Sequence, residues 1–135
     1  MSTAQDSIRS IKSGRGANVA LWVVQLLLAA AFLMAGASKL AGAEPMVKLF
    51  EALGLGQWFR YLTGALEVFA AVLLVVPRWS GFGALLLIPI MLGAAAAHLV
   101  VLKNSPAAPL VLLALAAVVA WGRLVREPFA TKASY

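Results

Sequence analysis

The chain has 135 residues, 63% of them hydrophobic and only 12% charged, with a net charge of +6 and a mean hydropathy of +0.95. A soluble domain carries about a quarter charged residues, and here long uncharged stretches separate bunched charges, so a soluble enzyme is excluded and a polytopic membrane protein is indicated. The absence of cysteine excludes disulfides, thiolate metal sites, iron–sulfur clusters and cysteine-borne lipid anchors, and a single histidine cannot supply two axial ligands to a haem.

In chain order, residues 1–18 are polar and contain Arg9, Lys12 and Arg15, which predicts a disordered or surface-lying cytoplasmic tail. The first span is expected over 19–40. Its basic start and the Ala35-Gly36-Ala37 triplet resemble a cleavable signal, but the apolar run is as long as a full span, against about 7–15 residues in a signal. The helix is therefore read as retained. Residues 44–53 form a short helix, because Pro45 suits a first turn and Gly54 suits the position past a helix end. Glu44, Lys48 and Glu51 make one polar stripe on it, which fits a helix lying at the membrane interface or tucked over the bundle.

The second span is expected over 58–77, and the turn Pro77–Gly81 is short enough to force an antiparallel neighbour. The third runs over 80–102 with Pro89 inside it, where a mid-helix proline favours a bend near residues 85–86. A second short turn leads into the fourth span, 106–123, and 124–135 form a polar cytoplasmic tail. The expected fold is all-α: a transmembrane four-helix bundle over 19–123 with one interfacial helix. Lys and Arg number seven on the side holding both tails and the 77–81 turn, and four on the other. That split predicts both termini in the cytoplasm. It also assigns the basic charge to lipid headgroups rather than to nucleic acid.

Charge inside hydrocarbon is costly, so Lys39, Arg60, Glu67 and His98 need an account. At 1.5 Å of rise per residue, Glu67 lies about 10 Å below the outer end of the second span, His98 about 7–8 Å below that surface, and Lys39 within about a turn of it. All four gather in the outer half, and the inner half holds no ionisable residue. Small residues flank each of Lys39, Glu67 and His98 at helical spacing, which lets membrane helices approach and turn polar groups inward. The three are expected to converge on a polar pocket that handles a ligand head or a proton. Each also has a plainer role: Lys39 snorkelling to headgroups, Arg60 as an interfacial anchor, Glu67 as half of a structural ion pair, and His98 as an interhelical hydrogen bond. Gln25 and Ser38 are weaker polar candidates. One His and one Glu are too few ligands for a metal, and no nucleotide-binding, zinc-protease or serine-hydrolase motif is present.

Ala35-Gly36-Ala37-Ser38-Lys39-Leu40, Leu66-Glu67-Val68 leading to Pro77-Arg78, and Met91 seven residues before His98 resemble the DoxX-like family of small bacterial membrane proteins, over about residues 20–122. The resemblance implies a four-helix bundle in the bacterial inner membrane. In founding members it implies a subunit of a thiosulfate:quinone oxidoreductase, and in others a membrane partner in sulfur and oxidative-stress defence. This chain has no cysteine to carry sulfur, so such chemistry would need a partner or a non-covalent route. The leading expectation is the membrane subunit or partner of a redox or quinone-linked system, with quinone as the candidate cofactor. Its partners would be the lipid bilayer, a redox protein and, in a homo-oligomer, further copies of itself. The alternatives are a small proton-coupled transporter and a structural membrane partner without a ligand.

Overall fold

The computed structural model describes residues 4–126, without the side chains of residues 5–13 and 126. Helix α1 (Ala4–Ala41) is followed by the short α2 (Glu44–Leu53), then α3 (Gln57–Val75), a 3-10 turn at Pro77–Trp79, α4 (Ser80–Val100) and α5 (Ala107–Ala120). No strand occurs among the described residues. Four segments are long and apolar enough to cross a bilayer: Gly14–Ala41, Gln57–Val75, Pro77–Val100 and Ala107–Val125, with mean hydropathies between 1.5 and 2.2.

The element boundaries follow local chemistry. Pro45 sits in the first turn of α2, and Gly54 ends it in the left-handed conformation at φ 72°, where its N–H reaches the Glu51 carbonyl. A Cβ is disfavoured at that φ, so glycine is the residue that lets the chain turn there. Helix α4 continues through Pro89. Two features differ from the expected boundaries. Helix α1 extends back to Ala4, through residues expected to form a tail, because extending an existing helix needs no new nucleus and residues 4–18 contain no proline. At the other end, α5 gives way to a π-helical turn, Trp121–Arg126. Residues 127–135, expected as a second tail, lie outside the described residues.

Around the bundle α1 packs on α3, α3 on α4 and α4 on α5, and α5 closes back onto α1. The α1–α3 crossing is the tightest constraint on the site described below. A Cβ on Gly36 would stand 2.7 Å from the Gly64 carbonyl oxygen and 2.7 Å from a Val68 methyl. Only residues without a side chain allow backbones this close. The core between the helices is apolar and dense, centred on Leu28, Phe32, Leu74 and Leu87. Large apolar side chains also cover the outside: Leu27 is 65% exposed, Met34 71% and Val100 72%. Apolar surface inside and out is what a bilayer, rather than water, solvates.

Candidate functional site

Glu67 is the eleventh of nineteen residues of α3, so it stands halfway along a spanning helix. It is 2% exposed. Its Oε2 accepts a hydrogen bond from Lys39 Nζ at 3.1 Å. The direction of that contact follows from helix geometry. Side chains lean toward the N-terminus of their own helix. Lys39, near the C-terminal end of α1, therefore leans inward, while Glu67 on the antiparallel α3 leans outward, and the two meet across the Gly36–Gly64 crossing. Snorkelling would have required Lys39 to reach the opposite way. The other ion pair among the described residues, Lys48–Glu44, sits on the solvent stripe of α2 with side chains 70% and 77% exposed, where such a pair contributes little.

Arg60 lies two turns outward of Glu67 and is also buried. One guanidinium N–H donates to the Lys39 carbonyl, which belongs to the last turn of α1 and also accepts from the Gly42 N–H at 3.3 Å. The Arg60 Nε donates to Gln57 Oε1 at 2.6 Å, and Gln57 Nε2 donates to the Val47 carbonyl of α2 at 3.1 Å. The guanidinium carbon also lies 4.2 Å from the centre of the Tyr61 ring. A cation at a helix C-terminus is favourably placed against the helix dipole. Lys39 is thereby held at both ends, its carbonyl by Arg60 and its ammonium by Glu67. Phe50 of α2, packed against Phe59 with ring centroids 5.9 Å apart, completes the cover over this end of the bundle.

His98 is placed elsewhere. Its Nδ1 lies 2.6 Å from Asn104 Oδ1, in the turn between α4 and α5. The packing register explains the separation. Gly83 of α4 faces Ala70, Leu73 and Leu74 of α3, which levels Glu67 with residues near 88–89 and leaves His98 on the order of 14 Å further outward. Of the four candidates, the structure brings together Lys39, Glu67 and Arg60, and sets His98 apart.

A second polar cluster occupies the opposite end of the bundle, where Arg123 was expected only as a flanking charge. Gln25, fully buried, donates from Nε2 to the Leu74 carbonyl at 2.9 Å and accepts from Arg123 Nε at 2.6 Å. Arg123 also donates to Asn18 Oδ1 at 2.7 Å and lies over the Trp22 ring. Sequence reasoning counted Arg123 as a flanking charge and Gln25 as a weak candidate. The available signal was that a glutamine within a 23-residue uncharged run must find a partner in hydrocarbon. Between the two clusters lies the layer of Leu28, Phe32, Ala70, Leu74 and Leu87, none more than 1% exposed.

Further along the α1–α3 seam, an apolar groove of about 270 Å³ is lined by Leu26, Ala29, Ala30, Leu33, Ala71, Val72 and Val75, without Lys39 or Glu67. Its outer end, at Ala71, is one turn from Glu67. No group of three or more His, Asp or Glu side chains able to hold a metal occurs among the described residues. A buried ammonium–carboxylate pair can donate and accept hydrogen bonds and relay a proton. In sequence comparisons, the profile described as the DoxX-like family matches residues 23–119. No curated protein and no solved structure matches the chain.

Proposed function

The chain belongs to the DoxX-like family and is a multi-pass integral membrane protein; from that premise we propose that it is the membrane subunit or partner of a redox or quinone-linked system in the bacterial inner membrane. In this reading both termini are cytoplasmic, and the Lys39–Glu67 pair is the polar station for a quinone-type head, the protein acting beside a redox-protein partner. The observation that carries the reading is the inward-turned Lys39 ammonium, 3.1 Å from a carboxylate halfway along a span. Headgroup anchoring does not need that geometry, and intramembrane ionisable pairs mark sites of ligand or proton handling.

The residues suit such a group. Lys39 offers N–H donors to a carbonyl oxygen, and the groove that ends one turn from Glu67 suits a hydrocarbon tail. A bound quinone would supply the capacity to carry two electrons and two protons through the bilayer. Arg60 fixes the backbone from which Lys39 reaches, and Phe50 of α2 packs over that end. A proton-coupled transporter is the weaker reading. The tightly packed layer of Leu28, Phe32, Leu74 and Leu87 separates Glu67 from the cytoplasmic polar cluster, whereas transport needs access from both sides.

Mass spectrometry of lipid extracts from the purified protein tests the proposal. A quinone enriched with wild type and depleted in Glu67→Gln supports it. Equal extracts from wild type and a well-folded Glu67→Gln variant refute it. Reporter fusions after Leu53 and after Tyr135 test the topology: periplasmic activity at the first and cytoplasmic at the second are expected, and the reverse overturns the orientation.

A further inference from the structure

The apolar groove on the α1–α3 seam has the depth of one lipid leaflet. Its floor is Ala29 and Ala71, both buried, and its walls are Leu26, Leu33, Val72 and Val75, between 43% and 53% exposed, so it opens toward the bilayer. Leu33 lies eleven residues from Trp22, about 16 Å along α1. One leaflet contributes about 15 Å, half of the hydrocarbon thickness. A hydrocarbon chain that ends at Leu33 and Ala71 therefore reaches back to Trp22, a residue type that favours the headgroup boundary.

Positive charge stands at that boundary. The hydrogen bond from Gln25 to the Leu74 carbonyl levels Trp22, one turn further along α1, with the Pro77–Trp79 turn that carries Arg78. Arg15, Val19, Trp22 and Leu26 share one face of α1, at spacings of four, three and four. Arg15 thus continues the line of the groove, two turns beyond Trp22. Both arginines are exposed, and neither has a hydrogen bond or ion pair among the described residues. No Asp or Glu occurs within 14–38 or 68–125, so no described side chain at this end pairs with the ammonium of a zwitterionic head, whereas a phosphate meets two guanidinium groups.

We infer that the α1–α3 groove binds an anionic phospholipid of the leaflet on the Arg15–Arg78 side, with one acyl chain in the groove and the anionic head between the levels of Arg78 and Arg15. The proposal goes beyond the quinone-linked reading, in which a quinone tail competes for the same groove. Each arginine near an anionic head contributes roughly fivefold in affinity, and its planar fork matches a phosphate.

The test uses the full-length protein in nanodiscs of phosphatidylglycerol and phosphatidylethanolamine in equal amounts, released for native mass spectrometry. The wild type is expected to retain phosphatidylglycerol at least fivefold over phosphatidylethanolamine. Arg15→Gln combined with Arg78→Gln should abolish the preference, whereas Lys103→Gln, which removes an exposed charge at the other end, should keep it. Ala30→Phe fills the groove from an exposed lining position and should lose the retained lipid, whereas Leu27→Phe, exposed but outside the lining, should keep it. Equal retention of the two lipids by the wild type, or a preference that survives the double arginine variant, overturns the assignment of the head. Lipid retained by a well-folded Ala30→Phe variant overturns the groove as its site. A dimer without lipid that Ala30→Phe disrupts gives the groove to a second copy and overturns the proposal. A co-purifying quinone in place of phospholipid overturns it as well and leaves the quinone-linked reading standing.

Discussion

Replacing Gly36 with alanine tests the claim that the α1–α3 crossing is set by the absence of a side chain. The added Cβ would stand 2.7 Å from the Gly64 carbonyl oxygen, 2.7 Å from a Val68 methyl and 3.1 Å from the Val68 nitrogen. Ordinary contact begins near 3.4 Å, so α1 must withdraw from α3 by roughly 0.7 Å, and one of the two close neighbours is backbone that cannot rotate away. Overpacking of that kind costs about 1–3 kcal/mol. Gly93, in α4, has nothing within 4 Å of its built Cβ, so Gly93→Ala should be neutral or stabilising by up to about 1 kcal/mol through helix propensity. The same chemical change should therefore have opposite signs at the two sites. Thermal unfolding of both variants in one detergent measures the difference. If Gly36→Ala is as stable as Gly93→Ala, the helices are not held in van der Waals contact at Gly36 and the reasoning fails.

Other consequences can be checked in the same way. Glu67→Leu leaves the Lys39 ammonium unpaired and should lower stability by about 3 kcal/mol, whereas Lys39→Met combined with Glu67→Leu should recover most of it; equal losses in the single and double variants would contradict the pairing. Arg60→Ala removes the hydrogen bonds to the Lys39 carbonyl and Gln57 and should cost about 1.5–3 kcal/mol, with faster amide exchange in α2; Arg60→Lys should not restore protection, because an ammonium lacks the planar fork. His98→Ala should leave ligand content unchanged and cost about 0.5–1.5 kcal/mol for its bond to Asn104; loss of a co-purifying ligand in this variant would return His98 to the site.

The two polar clusters share one structural device. Lys39 and Leu74 each lie in the last turn of a helix, where backbone carbonyls lack partners within that helix. Arg60 of α3 reaches the first and Gln25 of α1 the second. Each side chain satisfies a carbonyl on the helix packed against its own. In a bilayer, where water does not compete for these carbonyls, such reciprocal capping ties α1 and α3 together at both ends.

The sequence by itself determined the number of spans, their order and the amphipathic helix between the first two. Those features depend on runs of apolar residues and on local turn chemistry at Pro45, Gly54 and Pro77, which neighbouring helices do not alter. It also identified Lys39 and Glu67 as groups needing a partner, since the cost of charge in hydrocarbon is a property of the residue and its depth. Only the tertiary structure decided which groups meet. Shared depth from the membrane surface placed His98 with Glu67, but the register at Gly83 carries His98 toward the α4–α5 turn, and no count along a single helix contains that register. Arg123 shows the converse. Its position at a span end reads as a headgroup anchor, yet the π-helical turn and the return of α5 onto α1 bury it against Gln25. Depth and periodicity are written in one helix at a time, whereas partnership depends on how far one helix slides and rotates against the next, and packing at the glycine crossings sets that.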